Sequence, residues 1–268
     1  MKKNSAFVAI VIILAFVIGF VLWEFVLGNP SNFKDPLTRK APMSDSILGL
    51  MYVGGFLVPV LLGLSLMVFT FIAERMLSLK KAKGKKDLAV LLPQIEKLLN
   101  EGNLDAVTKL CNDQKGTVAN IIRAGIARFK DVQNNSSMSA EQKSEEVKKT
   151  IEEVTMLETP LLEQNLVILS TIASISTMVG LLGTVLGMIR SFRALGEGGA
   201  GASATQLSVG ISEALWNTAL GIGGAIIAIV FYNFFTNKVD KFTYLIDEAS
   251  LNLLETIKVR FLGKTANV

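Results

Sequence analysis

The sequence predicts an all-α, polytopic membrane protein with four transmembrane helices, two of them very long and extending into a cytoplasmic helical domain. Three observations carry this. Half of the 268 residues are hydrophobic, more than an ordinary soluble domain holds. They gather in four stretches, Ala6–Leu27, Ile47–Ala73, Leu166–Ile189 and Leu207–Phe235, each long enough to cross a bilayer as a helix. Outside these, apolar residues recur at helical spacing and no stretch alternates as a strand would.

Residues 1–28 open with Lys2 and Lys3 and then run apolar to Trp23. The run is longer than the core of a signal peptide and no A-x-A cleavage site follows, so it reads as a membrane span with Trp23 at the interface. Residues 29–46, with Pro30, Pro36 and Pro42, form an irregular periplasmic connector. The second span, 47–73, contains Pro59, expected to kink it or mark a partner contact. In the following ERMLSLKKAKGKK, six basic residues from Arg75 to Lys86 oppose only Glu74. An excess of that size beside a span marks its side of the membrane as cytoplasmic. The net charge of +4 is therefore a topology signal and not a nucleic-acid footprint.

Residues 74–160 form the cytoplasmic helical domain. Leu88, Leu91, Leu92, Ile95, Leu98 and Leu99 fall at helical spacing, Glu101-Gly102-Asn103 breaks the helix, and Leu104–Asn112 resumes it. Thr117–Val132 is amphipathic, with Ile121, Ile122, Ile126 and Phe129 inward. Ser139 and Gln142 form a capping box. From there to about Leu195 no strong stop occurs, which predicts one helix of about 55 residues and ~80 Å, bent where Pro160 interrupts it. Its transmembrane part is 161–193. Residues 194–206 form a periplasmic loop with a glycine-rich turn at Gly196–Gly201. The last span, 207–235, continues as a cytoplasmic helix through 236–268, ending near Arg260. Both termini are then cytoplasmic. Arg190 and Arg193 run mildly against the charge rule and are outweighed by the cluster after the second span.

The last two spans carry the chemistry. Thr177, Gly180, Thr184, Gly187 and Ser191 recur at steps of three and four, forming a small and hydroxyl-bearing stripe with Gly183 close by. Gly210, Ala214, Thr218, Gly221, Ala225 and Ala228 form its counterpart, and Glu213 and Asn217 sit beside it, one turn apart. Small residues permit close helix packing, and that alone accounts for the glycines and alanines. A glutamate and two threonines point instead to a polar conduit or ion-handling site, because a carboxyl group in a span is costly and marks function by default. Glu213 is expected to be neutral or ion-paired, governing helix contacts or ion access rather than carrying the ion. With no second acid or base expected inside the membrane, the chain cannot relay protons alone and needs a partner to supply the titrating group.

No enzymatic activity, cofactor or metal site is expected. The chain has no histidine, the commonest general base and metal ligand, and one cysteine, which excludes an internal disulfide. Cys111, in an amphipathic stretch, reads as a small buried hydrophobe. No Walker lysine accompanies the glycines after the third span. A secondary transporter would show inverted repeats, which are missing here. A scaffold that uses its small-residue faces only for association remains the competing class.

Residues 180–192, GLLGTVLGMIRSF, and 211–222, ISEALWNTALGI, resemble the two signature helices of the MotA/TolQ/ExbB proton-channel family, closest to its ExbB/TolQ branch. With FIAERMLSLKKAKG after the second span, the resemblance covers about 47–235. It implies a bacterial inner-membrane protein that couples a proton or sodium gradient to outer-membrane transport through a TonB-type protein, or to TolQ-like envelope maintenance. It implies a pentamer enclosing two copies of an ExbD-like single-span partner, whose aspartate carries the ion between Thr184 and Thr218. Lipid is a further partner and nucleic acid is none. The N-terminal helix is extra to the family's three spans, and Asn217 is larger and more polar than the pattern expects.

Overall fold

The computed structural model describes residues 2–39, 42–43, 45–197 and 202–262. It is helical throughout, with no strand among the described residues and only a single bridge between Phe33 and Pro42. The helices are α1 (Lys2–Val21, extended by a π turn Leu22–Leu27), α2 (Ile47–Val53), α3 (Leu57–Lys83), α4 (Leu88–Asn100), α5 (Leu104–Gln114), α6 (Thr117–Gln133), α7 (Ala140–Glu163), α8 (Leu166–Glu197) and α9 (Ala202–Thr256, with a π turn Ile257–Leu262). Four helical stretches are long and apolar enough to cross a membrane. The glycine-rich turn expected at Gly196–Gly201 lies largely outside the described residues; Gly196 and Glu197 still belong to α8.

The chain divides into two compact units, Met1–Ala73 with Asn165–Asn233 and Glu74–Gln164 with Phe234–Val268. In the first unit, α1 crosses α3 at a glycine pair. A Cβ on Gly19 would stand 2.7 Å from the Pro59 carbonyl oxygen, and one on Gly63 2.6 Å from the Phe16 ring. The extra helix thus packs on its own chain, while Ile10, Ile13, Val17 and Phe20 stay exposed on its other faces. Trp23 stacks on Tyr52 at 4.8 Å between ring centroids and donates its indole N–H to the Tyr52 carbonyl at 3.3 Å. The connector folds back beneath them: Phe33 is buried edge-on to Tyr52, and Arg39 pairs with Glu24 at 2.7 Å.

The second span is not one helix from Ile47. It breaks at Gly54–Gly55, where Gly55 takes a φ of +78° that residues with a side chain rarely adopt. Pro59 does not kink anything: it lies in the first turn of α3, where its missing N–H has no intrahelical partner to lose. The long helix expected from Ser139 is likewise interrupted, and not at Pro160, which lies inside α7. The backbone leaves the helix at Gln164, with ψ 138°, and Asn165, with φ +63°. Asparagine tolerates this left-handed conformation better than most residues.

The second unit follows the expected pattern closely. Leu88, Leu91, Ile95 and Leu99 of α4 and Ile121, Ile122, Ile126 and Phe129 of α6 are buried. Asp87 and Asn103 cap α4 and α5, and the Ser139–Gln142 capping box is present. Gly125 brings α6 against α7 and α9, since its Cβ would lie 2.9 Å from both Ile151 and Leu253. Arg128 pairs with Glu146 across α6 and α7, and Lys130 reaches Asp105 at 2.5 Å. Buried Gln114 latches the end of α3, donating to the carbonyls of Lys83 and Lys86 at 3.1 and 2.8 Å.

Arg75 was legible only as part of a basic cluster, yet it is 1% exposed. Glu74 grips its guanidinium at 2.6 and 2.7 Å, and Arg75 donates to the Leu162 carbonyl at 3.3 Å. Leu162 stands in the last turn of α7, where carbonyls lack intrahelical donors. The arginine answers that shortage, which makes the residue a cap and not merely a topology signal. Cys111 is buried, as expected of a small hydrophobe, and burial pushes its thiol up to about 11.

Candidate functional site

α8 and α9 run antiparallel and meet along a seam of small residues. A Cβ on Gly221 would stand 2.6 Å from the Ser176 carbonyl oxygen and 2.8 Å from the Gly180 Cα. One on Gly187 would stand 2.8 Å from the Ala214 Cβ, and one on Gly183 would run into the Asn217 Cβ. Gly221 meets backbone atoms, and Gly187 and Gly183 meet the Cβ atoms of Ala214 and Asn217, so the helices approach too closely for a side chain at any of the three. Ala225 and Ala228 continue the buried line on α9.

The buried seam shares Gly180, Gly187 and Ser191 on α8 and Gly210, Ala214 and Gly221 on α9 with the stripes read in the sequence, and differs from them at the threonines. Its buried members are Ser176, Gly180, Gly183, Gly187 and Ser191 on α8, and Gly210, Ala214, Asn217, Gly221 and Gly224 on α9. Thr177, Thr184 and Thr218 border it, half-buried. Ser176 donates to the Gly221 carbonyl across the seam at 3.0 Å. Steps of four, three, four and four from Ser176 describe this line as regularly as the stripe from Thr177.

Asn217 therefore does not stand beside the packing face; it stands within it, 3% exposed. Its amide donates to the Gly54 carbonyl at 2.8 Å, so the α2–α3 break is tied to α9. Its Oδ1 is buried without a hydrogen-bond partner among the described residues. A side chain larger than the family pattern thus has a local cause, since the carbonyl freed by the Gly54–Gly55 break needs a donor.

Thr184 and Thr218 face each other with hydroxyl oxygens 3.1 Å apart. The Thr184 hydroxyl donates within its own helix, to the Leu181 carbonyl at 2.8 Å. The Thr218 hydroxyl instead reaches across the seam to the Gly180 carbonyl at 3.1 Å. Thr177 donates to the Ala173 carbonyl one turn back, at 3.1 Å. Ser170 and Ser174 lie on the same line of α8 as Thr177 and Thr184, and donate to the carbonyls of Val167 and Ser170. They were missed because the apolar run masks them, although the spacing 170, 174, 177, 184 is helical.

Glu213 is ion-paired, its carboxylate 3.2 Å from the Arg190 guanidinium. The arginine that runs against the charge rule thus has a local partner. Both line a cavity of about 810 Å³ with Arg39, Trp23, Tyr52 and Gly55. Glu24, near the end of the first span, is a second carboxylate that the sequence reading passed over, and Arg39 answers it.

The chain is thus a helical membrane protein with four candidate spans, a hydroxyl-flanked glycine seam between two of them, and ionisable groups at one end of that seam. Residues 114–248 match the MotA/TolQ/ExbB proton channel family. The chain belongs to that family, on its ExbB/TolQ branch. It is 30% identical to an ExbB-like biopolymer transport protein of Synechocystis over 183 residues, 68% of this chain and 81% of that one. To the Tol-Pal system protein TolQ of Pseudomonas aeruginosa it is 36% identical over 124 residues, and to ExbB of Aquifex aeolicus 44% over 78 residues. Those matches take in 46% and 29% of this chain, and 53% and 52% of the two relatives.

Proposed function

We propose that this chain is an ExbB-like subunit of an ion-driven motor in the bacterial inner membrane, a ring of copies around a single-span partner that supplies the titrating acid. The observation that carries this is the hydroxyl line Ser170, Ser174, Thr177 and Thr184, joined by Thr218 at 3.1 Å from Thr184. The spans α8 and α9 place only one carboxylate near it, Glu213, and Arg190 holds that group. A path lined by hydroxyls and without a free acid conducts protons or sodium only when another chain brings the acid. The partner is ExbD-like, in two copies, and the output reaches a TonB-like protein. Thr184 and Thr218 solvate the partner's carboxyl, Thr177 extends the path, and Glu213 with Asn217 positions the helices and sets ion access. Gly180, Gly183, Gly187, Ala214, Gly221 and Ala225 hold the spans close enough for this. The whole acts in transport and not as an enzyme.

Purified in detergent, the chain is expected to run as a closed ring, five copies by the family resemblance, and to retain a small acidic single-span protein when co-expressed with one. Native mass spectrometry reads both; a stable monomer with no affinity for such a partner sinks the proposal. A TolQ-like role in envelope maintenance is the second reading, favoured by the 36% identity to a Tol-Pal protein. Growth on scarce iron against detergent sensitivity of a deletion strain separates the two.

The positive-inside excess supports a topology with both termini and residues 74–160 cytoplasmic and residues 29–46 and 194–206 periplasmic. Asn112→Cys is expected to react with an impermeant maleimide only in inverted vesicles, and Ser203→Cys only in intact spheroplasts. Native Cys111 stays silent in both, because with its thiol at about 11 only about a thousandth is thiolate at pH 8. Labelling from the opposite sides overturns the orientation.

A further inference from the structure

A cavity of about 390 Å³ in the second unit lies between the end of α3 and the part of α9 that follows its span. Its floor is apolar, with Leu79, Phe235 and Phe242, exposed Met76 stands at its edge, and its rim carries Lys80, Lys83, Lys238 and Lys241 against the single acid Asp87. Lys83 is spent on Asp87 at 2.6 Å, and Lys238 rests over the Phe234 ring at 4.6 Å. Lys80 and Lys241 are exposed and have no ion-pair partner among the described residues. The apolar spans end at Ala73 and Phe235, so the four lysines follow the hydrocarbon edge by three to ten residues, about 5–15 Å along the helices. Headgroups fill about the first 5–8 Å beyond that edge, and the long side chains of Lys80 and Lys241, rooted a little further out, reach back into them.

We infer that this cavity binds an anionic phospholipid, with the phosphodiester between Lys80 and Lys241 and the start of an acyl chain on the Phe235–Phe242 floor. Ammonium groups bind phosphate as point charges and need no bidentate geometry. Basic pockets between helices beside a membrane surface take anionic headgroups for the same reason. An all-apolar occupant, such as a helix from another copy, would leave Lys80 and Lys241 unanswered, whereas an anionic lipid meets both linings at once. The reading is independent of the ion conduit, because no residue of the α8–α9 seam lines the cavity.

The test uses the full chain in its purified membrane complex, titrated with phosphatidylglycerol or phosphatidylcholine in mixed micelles, with bound lipid counted by native mass spectrometry. Phosphatidylglycerol is expected to bind at least about tenfold more tightly than phosphatidylcholine. The double variant Lys80→Gln/Lys241→Gln should bind it about 30-fold more weakly, each lysine contributing about fivefold. Lys80→Arg/Lys241→Arg should retain it, and Lys109→Gln, on exposed α5 surface, should not matter. Millimolar inorganic phosphate should leave the lipid in place. Equal retention of the two lipids, full binding by the glutamine variant, loss of binding in the arginine variant, or displacement by free phosphate would each overturn the assignment.

Discussion

Gly221→Ala is expected to destabilise the membrane unit severely, while Gly223→Ala, two residues away, leaves it intact. The Cβ added at Gly221 would stand 2.6 Å from the Ser176 carbonyl oxygen and 2.8 Å from the Gly180 Cα, both backbone atoms of the facing helix. Neither can swing aside as a flexible side chain would, so α8 and α9 must separate. Separation strains the Ser176 bond to the Gly221 carbonyl and the Thr218 bond to the Gly180 carbonyl together, since both cross the seam within one turn. Overpacking a close core costs about 1–3 kcal/mol, and the weakened seam bonds add about 0.5–1.5 kcal/mol each. A Cβ at Gly223 meets nothing within 4 Å. Thermal unfolding in detergent, read beside the fraction eluting as a single assembled species, should show a drop of several degrees or more for the first variant and none for the second. Equal behaviour of the two would mean that the seam is not what holds these spans.

That contrast also shows what the sequence could and could not disclose. Helix periodicity located the four spans and the inward faces of α4 and α6, because burial of Ile121, Ile122, Ile126 and Phe129 follows from spacing alone, while Val147 and Ile151 of α7 were not singled out. It found the glycines and alanines of the seam and missed at the three threonines, which lie on its border. Each residue turns a helix by about 100°, so a stripe begun at Thr177 and one begun at Ser176 are equally periodic, and only the partner helix chooses between them. The choice moves Asn217 into the packing face and the threonines to its border. The breaks misled for a different reason. Prolines are the visible breakers, yet Pro59 loses no hydrogen bond in a first turn, and Pro160 is accommodated within α7. The real interruptions rest on Gly55, one glycine among many in an apolar run, and on Gln164–Asn165, where extended and then left-handed backbone falls on residues that do not announce a break. Long-range pairings were out of reach altogether. Nothing near Arg75 announces that its partner is a carbonyl at Leu162, or that Asn217 answers Gly54.

Thr184→Val and Thr218→Val are expected to assemble normally with the partner and to lose at least about tenfold of ion-driven output, about 1.4 kcal/mol in rate terms. Valine keeps the branched shape with a methyl in place of the hydroxyl, so the seam stays closely packed, and Thr218→Val gives up only its one bond to the Gly180 carbonyl, about 0.5–1.5 kcal/mol. The chemistry turns on proton count. Two hydroxyls supply two protons, and the Leu181 and Gly180 carbonyls accept them at 2.8 and 3.1 Å. The oxygens keep lone pairs in excess, enough for each to accept from a protonated carboxyl or from water. Rotating either O–H away from its carbonyl turns the same group into a donor for the ionised carboxylate. The pair can therefore solvate a partner acid in both of its charge states without moving the backbone, which a lone acceptor or a lone donor cannot do. The competing account is that these hydroxyls serve only their own helices, as Thr70 does by bonding the Leu66 carbonyl at 2.8 Å. Thr218 already departs from it, because its bond crosses to α8. Thr70→Val is the matched control, a hydroxyl lost from a span but away from the seam, and should keep full output. If the two seam variants match that control in proton flux while holding the partner as tightly as the parent chain does, the hydroxyl pair is packing and the conduit lies elsewhere.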